Sequence, residues 1–536
     1  MMVRGSSCHK PHSNREKAMK YTVLNPRGVR EPIKRTALSP RLETLDGKTI
    51  YCVAQDRPFF TEEVAKRLAE ALPGSKVVYR KKPGWIRSTD QELWEEIYAN
   101  ADALIYGTCM GAGSGMTAVT WIGEVEKRGI PCVYLAGQLY EHDVKMSALM
   151  RGLPALRAVF VKLVGEEDVT ADVSAGQFAD IGARLVEALT VPLTEEEKRT
   201  DDIVTEKPPR IATTGTYEEI QDYLAAQGWA DGLPIVPPTE ERVAELLAGT
   251  SHAPDQVVTT CMHPEELTVT VEKVAVVGAM AGCKPEYMPV LLSMIEAWGS
   301  SPVFGQAARS DSTFNTMTVV NGPIRNELGM NKGSNAMGPG NRANATIGRF
   351  LRLAILCLGG SLPGRTDMST QGSPIKYGFC YPEHEEENPW EPLHVSNGFK
   401  AEESVISIWA GGWCHWSFSG DLDHLATAFG TFPQISGAVM ISLEAARLYN
   451  RLEKSKADIE QYILEHARER AMNPKPTWYN IDASPIGKPR LKEEQNTLQM
   501  ADFTIKAIVV GGETSIPIAQ AWHFNPPTFN GVDKWR

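Results

Sequence analysis

The segment Ala103–Thr117 (ALIYGTCMGAGSGMT) concentrates more potential chemistry than any other stretch of the chain. Ala103–Tyr106 reads as a buried strand, a loop with Gly107, Gly111, Gly113 and Gly115 follows, and a helix is predicted from Thr117. Glycines let a backbone turn tightly and aim N–H groups at a ligand, and a helix N-terminus behind them favours an anion or a developing oxyanion. The loop is not a dinucleotide fingerprint, because GxGxxG begun at Gly111 needs a glycine where Met116 stands. It is not an ATP-type phosphate loop either, since no Gly-Lys-Ser/Thr follows. Cys109 sits in this loop, where nearby N–H groups would raise its thiolate character and make it a candidate nucleophile. Ser114 is the neighbouring catalytic candidate, and Gly111, Gly113, Gly115 and Thr117 are the candidate substrate-binding positions. The competing reading makes Cys109 a small residue in a tight turn.

Other candidates lie further along. Lys82 follows the second predicted strand and is a candidate anion ligand, against the alternative of a solvated Lys81-Lys82 pair. The run Asn321–Arg349 is rich in Asn and Gly, with cations at Arg325, Lys332, Arg342 and Arg349. Arg342 and Asn344 are its candidate contacts to a carboxylate or phosphate. His415, set among Trp and Cys, is a candidate acid/base group, and Cys283, ahead of a Pro-initiated helix, is a second candidate thiol. No metal site is assigned; His415, Asp421 and His424 are the residues from which one would be built. Cys380 and His384 sit beside carboxylates in a stretch read as a solvated acidic turn.

These groups need a scaffold. Strand and helix patterns alternate from Thr49 to Leu189, which implies crossover units and a parallel sheet covered on both faces. The fold expected is α/β, a flavodoxin-like three-layer domain over 41–195. A basic tail at 1–40, with residues 1–18 dispensable, precedes it. A charged, Pro-containing linker at 196–210 leads to a larger α/β or α+β domain at 211–536, in one or two lobes.

Composition narrows the function. The 536 residues carry 55 Lys+Arg against 66 Asp+Glu, a net charge of −11, which disfavours a nucleic-acid partner. No apolar run is long enough for a membrane span. Nine scattered cysteines without a CxxC fit free thiols in a reducing cytoplasm.

Several short stretches carry a resemblance. VLNPRG at Val23–Gly28, LSPRLETLDGKTIYC at Leu38–Cys52, RKKPG at Arg80–Gly84 and EKRGIP at Glu126–Pro131 are similar to the UGSC-motif (seleno)protein family. The family is named for a Sec/Cys-Gly-Ser-Cys loop after a strand, and the resemblance covers about residues 22–190. Counted back from EKRGIP, its Sec/Cys falls on Gly111 and its second Cys on Ser114. Neither family thiol is therefore present, and Cys109 or Ser114 would have to carry any redox role the resemblance implies.

Together these readings lead to an expected enzyme, a lyase, hydrolase or reductase. It would act on a small anionic molecule by thiol- or acid/base-assisted cleavage, addition or reduction. The pocket is expected between the Gly-rich loop and the Asn321–Arg349 run. A subunit of a thiol-dependent reductase system and a non-catalytic ligand-binding or scaffold protein remain the alternatives. The cofactor stays open, and a homo-oligomer is compatible with the sequence.

Overall fold

The computed structural model describes residues 19–55, 58–82, 90–109, 112–162, 171–309, 314–417, 421–430, 436–472, 481–482, 490–491, 504–513 and 516–536. The chain opens with β1 (Tyr21–Leu24). Next come β2 (Thr49–Ala54), α1 (Pro58–Ala71), β3 (Lys76–Lys81), α2 (Gln91–Asn100) and β4 (Ala103–Cys109). Then follow α3 (Ala112–Glu126), β5 (Cys132–Gly137), α4 (Glu141–Met150), β6 (Ala158–Val161) and α5 (Ala171–Thr190). Five of these strands form a parallel sheet ordered β3-β2-β4-β5-β6. Counted from β2, that is the flavodoxin-like order 2-1-3-4-5, with its switch point between β2 and β4.

Alternation along the strands sorts the two faces. Tyr51, Val53, Leu104 and Tyr106 meet α2, α3 and α4 through Trp94, Ile97, Val119, Ile122 and Val144. Ile50, Cys52, Ala103 and Ile105 face the other way, onto Phe60, Val64 and Leu68 of α1 and Ile181, Leu185 and Leu189 of α5. The inner strands β2 and β5 are buried on both sides, so their sequences read as continuous apolar runs, whereas the edge strand β3 is exposed at Lys76, Arg80 and Lys81.

The C-terminal region begins with β7 (Ile211–Gly215), α6 (Tyr217–Ala226), α7 (Glu240–Leu247), β8 (Val257–Met262) and β9 (Leu267–Thr270). It continues through α8 (Val271–Ala281), α9 (Met288–Ser300), α10 (Pro302–Ala307), β10 (Asn315–Asn321), α11 (Ile324–Glu327) and α12 (Arg342–Cys357). β11 (Cys380–Pro382), β12 (Val405–Ser417), α13 (Leu422–Gly430), β13 (Gly437–Ile441), α14 (Leu443–Arg451) and α15 (Lys456–Met472) follow. The last strands are β14 (Ile481–Asp482), β15 (Arg490–Leu491), β16 (Ile505–Val509), β17 (Ala519–Phe524) and β18 (Thr528–Gly531). A seven-stranded mixed sheet runs β11-β10-β12-β17-β13-β16, with β18 added along β12. Helix α8 is central. Val271, Val274–Ala279 and Met280 are all buried, because α7, α9 and α12 surround it. A helix apolar on every face has no polar stripe and hence no helical period to read.

The boundaries differ from expectation in two places. Residues 21–24, read as tail, pair antiparallel with β7, and Val23 and Leu24 are buried. Val29 then bridges Thr268 and Ile33 bridges Ile203, so residues 19–40 strap the two regions together. The stretch read as a linker is also held in place. Arg157 makes a two-pronged ion pair with Glu197 (2.7 and 2.9 Å), and the Leu38 N–H donates to the Glu197 carbonyl. Charge in these segments goes into ion pairs, which composition alone does not distinguish from solvation. The dispensability of residues 1–18 lies outside the described residues.

Candidate functional site

The carboxyl end of the parallel sheet is where the Gly-rich segment arrives. Gly107 lies inside β4, and a Cβ there would sit 2.5 Å from the Leu135 carbonyl oxygen, so close strand packing demands a glycine. The Tyr106 hydroxyl donates to Gln55 after β2, and the Gln55 N–H to the Gly107 carbonyl, which ties together both strands of the switch point. Cys109 is the last residue of β4 and pairs with Ala136 of β5. Gly111 lies outside the described residues, as do the side chains of Cys109 and Ser114. Helix α3 starts at Ala112 rather than Thr117, so Gly113, Ser114, Gly115 and Thr117 belong to its first turns.

Lys82 is neither solvated nor available as a ligand: it is buried and ion-paired with Asp90.

The C-terminal region meets α3 with a different set of residues from those expected. Gln306 at the end of α10 reaches Thr117 at 3.5 Å. Arg151, just after α4, donates to the Thr120 hydroxyl at 3.1 Å and grips the Glu266 carboxylate with two bonds of 2.7 and 2.8 Å. Glu266 closes the β8–β9 turn, which also carries His263, and Cys261 lies near the end of β8. The Cys261 Sγ lies 3.7 Å from His263 Nε2 and 3.9 Å from Nδ1. His263 is buried, whereas Cys261 is half-buried at the seam.

Electrostatics at the seam follow from burial. Desolvation pushes the Cys261 thiol up to about 11, with Glu266 adding to the rise and Arg151 opposing it. Desolvation also pulls the His263 imidazole down to about 4, so the ring is neutral. A second junction lies alongside. Arg309, fully buried, donates to Asp143 and to Ser147 Oγ (3.0 Å) of α4 and to the Pro264 carbonyl. Arg27 and Arg30 of the strap hold Glu265 at 2.6 and 2.7 Å.

The Asn321–Arg349 run is held by partners of its own. Its cations are already matched within the C-terminal region: Arg325 with Glu385 and Glu386, Lys332 with Glu386, Arg349 with Asp231. Arg342 donates to the Gly282 carbonyl at the end of α8. Asn344 is buried, and its amide bonds the backbone of Asn331 and Ala336, which pins the loop instead of a ligand. The described bonds of Arg342 and Asn344 are thus to the chain's own backbone.

Cys283 sits in the interior. Its thiol is buried, donates to the Thr346 carbonyl and is pushed up to about 12 by desolvation. The acidic stretch after Cys380 is not a solvated turn. Glu383 is fully buried, accepting from Asn321 and from the Leu393 N–H. His415 lies on β12 opposite Ala521, and its side chain is outside the described residues. Asp421 and His424 form an exposed pair 3.5 Å apart at the start of α13.

The sequence signal for Cys261 and His263 was a Cys-x-His-Pro-Glu-Glu string in a region with no strand assigned. Only the hairpin makes its side chains neighbours.

Fold and seam define a two-region α/β protein, a flavodoxin-like layer structure joined to a mixed-sheet region with a thiol and an imidazole at the junction. Residues 22–191 match the UGSC family, in agreement with the resemblance of the N-terminal region. No curated protein and no solved structure matches the chain.

Proposed function

We propose that this protein is an enzyme acting on a small anionic molecule at the seam between its two regions. The chemistry is thiol- or acid/base-assisted cleavage, addition or reduction, carried by Cys261 and His263. One observation supports this reading above others. The half-buried Cys261 thiol lies 3.7 Å from a buried neutral imidazole, beside the helix that follows the Gly-rich segment. A neutral imidazole can accept a thiol proton. The six cysteines whose side chains are described are free, which fits a reducing cytoplasm. No helix among the described residues is long and apolar enough to cross a membrane. The net charge of −11 supports a small-molecule partner over a nucleic acid.

The experiment is a thermal-shift screen of small carboxylates, phosphates and sulfonates, followed by timed alkylation of Cys261. A binding anion should raise Tm, slow Cys261 labelling by about tenfold, and lose both effects in His263→Gln. The reading fails if no anion binds, or if bound anions leave Cys261 labelling unchanged.

A further inference from the structure

We propose that Cys261, His263 and Glu266 together bind one divalent transition-metal ion, with Zn²⁺ the best match to the donors. The Sγ, an imidazole nitrogen and a carboxylate oxygen all lie within 4.8 Å of one another. Ligands around a tetrahedral zinc, at bond lengths of about 2.0–2.3 Å, stand about 3.3–3.8 Å apart. The Sγ to Nε2 distance of 3.7 Å already meets that spacing. A thiolate, an imidazole and a carboxylate are a soft-to-borderline set, unsuited to Ca²⁺ or Mg²⁺, which want oxygen alone.

The surroundings hold the donors in place. All three sit on one hairpin, whose backbone is fastened by the Trp298 indole N–H donating to the His263 carbonyl at 3.0 Å. Gly305 of α10 lies against the ring, and a Cβ there would fall 2.9 Å from Nδ1. A larger residue would push the imidazole out of reach of the thiol. Arg151 orients Glu266 through two bonds, and each carboxylate oxygen keeps a lone pair for an ion.

Charge bookkeeping is consistent. A thiolate and a carboxylate offset the ion's two charges, and Arg309 is separately matched by Asp143. Arg151 then leaves one positive charge, which suits an anionic ligand at an open coordination position. Binding releases the Cys261 proton to solvent as the sulfur–metal bond forms. Three protein donors, two of them half-buried, leave such a position open, the pattern of catalytic rather than structural zinc. In the loaded protein Cys261 is a ligand and not a nucleophile, and the proposed chemistry becomes metal-assisted.

The proposal rests on the reading above for the place of reaction but not for the ion, since metal content and anion binding are read separately. The full-length protein, stripped with chelator, is dialysed against Zn²⁺ and, in parallel, Co²⁺, and its metal is quantified by mass spectrometry. One equivalent is expected, with affinity lowered at least about a hundredfold in Cys261→Ala and His263→Ala. The Co²⁺ form should show a thiolate-to-metal charge-transfer band that is lost in Cys261→Ala and kept in Cys283→Ala. Should His263→Ala fail to fold, as judged by circular dichroism, Glu266→Gln and Cys261→Ser provide the same comparison. Substoichiometric metal in the wild type overturns the proposal, as does one equivalent that survives the loss of Cys261.

Discussion

Arg309 and Asp143 meet across the boundary of the two regions as an ion pair with essentially no solvent exposure on either side chain. Arg309 follows α10 of the C-terminal region, and Asp143 lies on α4 beside the parallel sheet. The pair couples the position of α10, and with it Gly305 and Gln306, to the flavodoxin-like layers. Breaking a buried pair by removing one partner strands the other charge, at about 3–5 kcal/mol. Asp143→Leu alone should therefore cost that much in chemical denaturation. Asp143→Leu combined with Arg309→Met should recover most of it, because both desolvation penalties disappear together. Equal losses in the single and double variants would deny the coupling.

Arg157 and Glu197 fasten the stretch after α5 to the parallel-sheet domain, with a distinct pH signature. The two guanidinium bonds, with the Thr194 N–H and hydroxyl, pull the Glu197 carboxyl from 4.5 to about 2 against the opposing effect of burial. A folded-state value below the unfolded one stabilises the fold above pH 4.5, and that contribution is lost as pH falls through about 2. Glu197→Gln should be less stable than wild type by about 1–3 kcal/mol at pH 7. The gap should close as pH drops below about 3, measured by denaturation across the acid range. A gap independent of pH would mean that the charge contributes nothing.

Thiol reactivity separates Cys261 from four buried cysteines. Cys52 and Cys283 are buried and pushed up to about 12, and Cys357 and Cys380 are raised further by the same desolvation. Cys261 is half-buried and pushed up only to about 11. In metal-free protein Cys261 should be alkylated at least about tenfold faster than these four, as read by peptide mass spectrometry after timed pulses. Faster labelling of Cys283 would contradict the burial order.

Gly107 should tolerate no side chain. An alanine Cβ would stand 2.5 Å from the Leu135 carbonyl oxygen and 2.8 Å from the Leu135 Cβ, forcing β4 and β5 apart. Gly107→Ala should cost about 1–3 kcal/mol, seen as a lower Tm. An unchanged Tm would show that the strands relax freely.

The parallel sheet is legible from the chain because local period and burial agree. Strands such as Thr49–Ala54 are apolar on both faces, helices such as α1 carry one apolar stripe, and their alternation admits little but a doubly covered sheet. The motif stretches from Val23 to Pro131 also identify the family that residues 22–191 match. The net charge and the scattered cysteines likewise belong to sequence alone.

Other features depend on distance in space. Lys82 looks solvated until Asp90 folds over it, and Asn344 looks like a ligand until the Asn331–Ala336 loop closes around its amide. Helix α8 carries no period because neighbours cover every face. The strap at residues 19–40 has charge but no pattern, and its meaning lies in Glu265, Thr268 and Ile203, which are far along the chain. The seam depends most on tertiary structure. Cys261 and His263 are two residues apart and alternation along a strand would place both on one face, but Glu266, Arg151 and Gly305 reach them only through a turn and two helix contacts. Sequence determines which groups exist and which segments bury themselves; packing between distant segments decides which groups share a site.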